Sequence, residues 1–146
     1  MPNSIKQQIL DYVLSALEPL KTNGTVREIT RELDRVYDGR ALPLIQVFDG
    51  DEITYAKTDT VWNCRFKLTI HIAFGFQRDP GPQKDFLVAE VQKKIESDLT
   101  LGGTARIVDA GNETPLVDTK DRTRHRTILT YTIQYTRKIG DPYSLS

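Results

Sequence analysis

From Val61 to Phe76 apolar and polar residues alternate strictly. Trp62, Cys64, Phe66, Leu68, Ile70, Ile72, Phe74 and Phe76 hold the even positions, and Asn63, Arg65, Lys67, Thr69 and His71 the odd ones. A period of two over this length predicts a long strand with one buried face. His125 to Arg137 repeats the pattern, with Leu129, Tyr131, Ile133 and Tyr135 on one side. Two other segments follow the helical period. Ile5, Ile9, Val13, Ala16, Leu17 and Leu20 recur along the first, which Ser4 and Gln7 open as a capping box. Leu87, Val88, Val91, Ile95 and Leu99 recur along Gln83 to Leu99, and Leu101-Gly102-Gly103 reads as the stop of that helix.

The remaining segments are shorter. Pro19 disfavours helical geometry at Glu18, and Asn23-Gly24 supplies a turn, so the chain is expected to reverse near residue 22. Thr25 to Val36 suits either period and is read as a strand. The run from Leu42 to Phe48 ends at Asp49-Gly50-Asp51, with Glu52 to Tyr55 returning along it as a hairpin or bent edge. Residues 104 to 110 read as a strand, 111 to 122 as a polar loop, and 139 to 146 as a flexible end.

These elements predict one α+β domain over residues 1–146: a mixed, mainly antiparallel sheet of four to five strands with two helices packed on one face. The other sheet face is expected to stay polar. A length of 146 residues fits a single core.

Composition narrows the function. The 20 basic and 20 acidic residues cancel, which removes the strong field of a dedicated nucleic-acid binder. The one cysteine, Cys64, and the two histidines, His71 and His125, supply no zinc-type ligand set, so no metal and no cofactor are expected. Cys64 is in phase with Trp62 and Phe66 and is expected in the core. No apolar run reaches the roughly 18 residues of a membrane span, and MPNSIKQQIL lacks the charged start and apolar core of a signal peptide. The chain is therefore expected to act in a cytoplasm, or in an assembly built there, without membrane contact. Neither histidine has a carboxylate at relay spacing, and no GxSxG elbow occurs, so no catalytic residues are expected and the chain reads as a non-enzyme.

Two charged groups stand out as partner-contact candidates. Arg122, Arg124 and Arg126 alternate at strand spacing, opposite the Leu129 and Tyr131 side, and their guanidinium forks suit contact with a partner subunit or with passing phosphates. The acids Asp49, Asp51 and Glu52 are a complementary patch for a neighbouring copy. A solvated strand face is the plainer reading of the arginines.

The order of segments resembles a known family. The helix IKQQILDYVLSALEPL, then GTVREITREL, LPLIQVFDGDE, a long strand ending HIAFGF, the helix VAEVQKKIESDL followed by TLGGTARIV, and the closing strand LTYTIQY together resemble the tail terminator proteins of long-tailed bacteriophages, also called minor tail protein U or tail completion proteins. The resemblance spans about residues 5 to 137 and rests on order and spacing. It implies a virion protein that forms a six-membered ring on the tail tube, ends tube polymerisation and offers its other face to a head completion or connector protein. Genomic DNA would pass through the ring without sequence-specific binding. Leu42-Pro43 and Asp49-Gly50-Asp51-Glu52 match the edge segment, and Leu101-Gly102-Gly103 the helix stop. The alternatives are another head-tail joining or tube component, and, in a different class, a small α+β enzyme or ligand-binding domain built around His71, His125 and the arginines.

Overall fold

The computed structural model describes residues 4–31, 43–58, 60–75, 81–103, 105–117, 124–141 and 143. Helix α1 spans Ile5–Thr22 and is followed by the strands β1 (Glu28–Arg31), β2 (Leu44–Asp49), β3 (Ile53–Lys57) and β4 (Val61–Gly75). Helix α2 (Gly81–Ile95) precedes β5 (Arg106–Val117) and β6 (Arg124–Lys138). The fold is α+β, with two helices and a mixed, mostly antiparallel sheet ordered β1-β2-β4-β6-β5, and β3 also paired to β4. The sheet has six strands, one more than the upper expectation, because the Asp49 segment interrupts one lane and divides it into two strands.

Alternation puts the even positions of β4 from Cys64 to Phe74 on the core side, where each is buried. The register pairs them with the odd positions of β6, so Leu129, Tyr131, Ile133 and Tyr135 complete that face. Over it lie α1, which buries Ile5, Ile9, Leu10, Val13, Leu17 and Leu20, and α2, which buries Leu87, Val88, Val91 and Ile95. Burying a large aliphatic or aromatic side chain contributes roughly 1.5 to 3 kcal/mol, so this single cluster outweighs any local propensity in the chain.

That dominance explains the helix ends. Pro19 sits inside α1, since its ring lies near the end of the helix and Leu20, one residue on, is fully buried in the core. The reversal comes at Asn23, whose amide donates to the Pro19 carbonyl at 2.9 Å. Ser4 caps the other end, its hydroxyl accepting from the Gln7 amide at 3.1 Å. Helix α2 stops at Ile95, short of the expected residue 99, and Leu99 is exposed. Gly102 and Gly103 therefore belong to the turn beyond the helix. There Leu101, Gly102 and Gly103 all take positive φ, and Asp98 accepts from the amides of Thr100 and Gly102 at 2.9 Å each.

Three other expectations change. The strand expected over Thr25 to Val36 is β1, seen at Glu28–Arg31, and residues 32–42 lie outside the described residues. Residues 111–117, expected as loop, extend β5 and pair with β6 as far as Val117 with His125. Pro115 is accommodated because β5 closes the sheet order, and an end strand tolerates a residue without an amide proton. The helix-free face is not uniformly polar either, because Leu44 and Ala73 are buried on it. Phe76 and residues 144–146 lie outside the described residues, and Asp141 of the expected flexible end bridges back to Lys138.

Candidate functional site

The acidic segment decides the geometry of one sheet edge. Strand β2 pairs with β4 down to Asp49 opposite Leu68, and the Gly50 amide continues the ladder to the Lys67 carbonyl at 2.8 Å. From Gly50 to Ile53 the chain takes three steps while β4 takes two, from Lys67 to Arg65, which defines a bulge at Asp51 and Glu52. Strand β3 then resumes in the same direction along the same flank of β4. Of the expected hairpin or bent edge, β2 and β3 form the second, a broken lane, and the hairpin proper joins β3 to β4. Gly50 suits the bend, since a β-carbon there would meet the Lys67 carbonyl oxygen at 3.3 Å.

Within this segment the three acids part company. Asp49 turns toward the core side, where its carboxylate lies 2.8 Å from Lys6 Nζ and 3.7 Å from Arg31. The same ammonium donates to the Gly50 carbonyl at 2.8 Å, and Arg31 also donates to Gln7. Asp49 is committed to its own chain, whereas Asp51 and Glu52 face solvent. Beyond them Ile53 and Tyr55 are 55% and 40% exposed on the same strand. Arg65 lies 5.2 Å from the Tyr55 ring, and Lys57 and Arg137 stand 4.7 and 4.6 Å from that of Trp62.

An open groove of about 460 Å³ crosses the helix-free face from this edge. Asp51 and Ile53 form one end, Arg65, Lys67 and Thr132 its floor, and Asp109 of β5 the other end. Both charge signs line it.

The arginines are placed differently from the acids. Arg126 is half-buried on β6, paired with Ala73 and Leu116, and Arg124 pairs with Gly75. Arg122 lies outside the described residues. Arg126 and the Asp51 bulge are separated along β4 by the distance from Ala73 to Lys67, so one chain does not bring the two sets together. Arg126 acts instead on His71. Burial first, and the Arg126 charge second, lower the His71 imidazole to about 4. Phe48 covers that ring with centroids 4.6 Å apart.

The register also keeps the histidines apart, since His71 pairs with Ile128 and His125 with Phe74. Cys64 is fully buried. No group of three metal-ligating side chains occurs among the described residues, and none of their helices is long and apolar enough to cross a membrane.

No family model and no curated protein matches the chain. The surface itself must therefore indicate the function. Sequence reasoning found Asp51 and Glu52 but missed Ile53, Tyr55, Arg65, Lys67 and Asp109. The signal was present in Ile-Thr-Tyr-Ala-Lys, a strand whose two bulkiest residues share a parity and need a covering surface.

Proposed function

We propose that this chain is a structural subunit of a bacteriophage tail, a tail terminator that assembles as a hexameric ring, caps the tail tube and joins it to a head completion or connector protein. It acts in the virion by contact alone, without catalysis, cofactor or membrane, while the genome passes through the ring. The observation that carries the reading is the order of elements along one sheet: an N-terminal helix, a broken edge lane, a fifteen-residue strand, a second helix with its glycine turn, and a closing hairpin. The same order of segments along the sequence carries the resemblance to the tail terminator family. The exposed Ile53 and Tyr55 beside Asp51 and Glu52 add support, because such a ridge on an edge strand is a liability unless a neighbour covers it.

The test is assembly of tails with and without the protein. Purified protein should give ring-shaped particles of six copies by negative-stain microscopy, and tubes polymerised in its presence should stop at uniform length. Rings that leave tube length unchanged but join heads to finished tails would assign the chain to the neck. Incorporation along the tube would assign it to the tube wall. A protein that does neither would overturn the reading.

A further inference from the structure

Resting on that reading, we propose that the end of the sheet where β4 begins and β6 ends meets the sugar-phosphate backbone of duplex DNA, without reading its sequence.

The zero net charge of the chain conceals a segregated one. The strand positions from Val61 to Arg65, with those paired to them on β3, β6 and β5, include Lys57, Arg65, Arg106, Arg137 and Lys138 and no acid. Among the described residues none of these cations stands within ion-pair distance of a carboxylate, and pairs such as Lys6 with Asp49 and Lys84 with Asp85 lie elsewhere. The connections beyond hold Asp141, which accepts from the Tyr143 amide at 3.0 Å, and Asp59, which lies outside the described residues. Counting both, cations still outnumber acids at this end.

Aromatic rings hold the cations where carboxylates do not. Lys57 and Arg137 stand over the Trp62 ring at 4.7 and 4.6 Å, and Arg65 over that of Tyr55 at 5.2 Å. A ring orders the stem of a cation but leaves its charge uncompensated, so these groups are ordered in advance for an anion.

Strand register spaces the charges. Arg65 and Arg106 flank Gln134 in one row of the helix-free face, and Lys138 follows on the same face of β6, whereas Lys57 and Arg137 go with Trp62 on the other face. The block covers four steps of β4, ~13 Å, and four neighbouring strands, ~14 Å across. A duplex carries one charge per ~1.7 Å of axis, about eight over that width, so phosphates are denser than the cations that meet them.

The residues between the cations favour DNA over a protein. Asn63, Thr136 and Gln134 fill the intervening positions on the helix-free face, and amide and hydroxyl groups join arginine and lysine in holding phosphate and sugar oxygens. Neither β4 nor β6 exposes a large apolar side chain within the block. A protein interface gathers an apolar centre poor in lysine, whereas a DNA interface is polar and positive. Asp51 and Asp109 line the groove beside Lys67, just past the block, and they confine a duplex to the end of the sheet. A local field in a neutral chain gives a contact weak enough for DNA to move past it.

The test is fluorescence anisotropy of the full chain with a short labelled duplex of mixed sequence. The wild type should bind duplexes of unrelated sequence equally, and log K should fall against log salt with a slope of about −3 to −4, roughly one unit per phosphate met. Arg106→Glu/Lys138→Glu changes two exposed residues and should weaken binding ~tenfold or more, lower the slope by about 2 and leave thermal unfolding unchanged. Asp51→Asn/Asp109→Asn should tighten binding by removing the border. A charge-reversed variant with wild-type affinity overturns the proposal, as does a wild type that binds no duplex at low salt. Polyglutamate that displaces the duplex at equal charge concentration would mark an acidic-protein surface and overturn it too. So would loss of ring formation together with DNA binding, which assigns the block to the contact between copies. DNA binding as expected by a protein that leaves tubes uncapped would retain the proposal and overturn the tail-terminator reading, and capped tubes without DNA binding would do the reverse.

Discussion

The ammonium of Lys6 lies 2.8 Å from the Asp49 carboxylate and donates to the neighbouring Gly50 carbonyl at the same distance. One side chain of α1 thereby ties the first turn of the helix to the point where the edge lane breaks. Its nitrogen also stands 5.2 Å from the Phe66 ring. Lys6→Met removes the charge while keeping much of the stem, and takes the 2.8 Å ion pair from Asp49. The expected loss is about 1 to 3 kcal/mol, the scale for stranding a largely buried polar partner. Urea denaturation measures it, and an Asp49→Asn change in the Lys6→Met background should cost little more.

Phe66→Ala should cost about 3 to 5 kcal/mol, since the ring is 2% exposed and packs edge-on against Tyr135 at 6.2 Å. Cys64, two residues away on the same face, should react with a thiol reagent only through unfolding. The labelling rate at Cys64 should therefore rise in the Phe66→Ala variant in step with the lost stability.

Gly102 offers a sharper backbone test. Its φ is +76°, and a β-carbon there would meet the Tyr12 ring at 3.1 Å. Gly102→Ala should therefore destabilise by about 1 to 3 kcal/mol. Gly103 has a similar φ of +84° but open space around it. Gly103→Ala should cost less, and thermal unfolding of the two variants separates the steric part from the conformational part.

His71 predicts a pH dependence with a definite sign. Its imidazole falls from 6.5 to about 4 on folding, because burial and the Arg126 charge both disfavour the cation. Above pH 6.5 the ring is neutral in both states. Between 6.5 and about 4 the unfolded chain takes up a proton that the folded chain refuses, so stability declines as the pH falls through that window. His71→Gln should flatten this part of the curve in denaturation series. Combined with His125→Gln, it should leave tail assembly at pH 7 intact, and a collapse of assembly in a folded double variant would revive a chemical role.

The long strands and the helices were legible because each buries a stripe of fixed period. The even positions from Cys64 to Phe74 and the odd ones from Leu129 to Tyr135 belong to the core by alternation alone, and each of these is buried. What escaped were places where tertiary context overrides a local cue. Pro19 signals a break, but Leu20 is held in the core and the helix continues. Gly111 and Pro115 suggest a loop, but β6 offers a ladder and only an end strand is required of them. Asp49-Gly50-Asp51 has turn composition and forms a bulge, because β4 extends past it on both sides. The candidate acids were found as a group, and only the fold shows that Asp49 belongs to Lys6 while Asp51 and Glu52 face outward.

The broken lane has a mechanical meaning. One flank of β4 is zipped to β6 without interruption from Val61 to Gly75, while the other is spliced from two pieces with a slip between them. The first piece is tied to α1 through Asp49, and the second is laddered to β4 and joined to it by a hairpin. The Asp51-Glu52 bulge therefore uncouples the register of β3 from that of β2. Strand β3 can thus carry its own pitch along β4 without shifting the contact between Asp49 and Lys6.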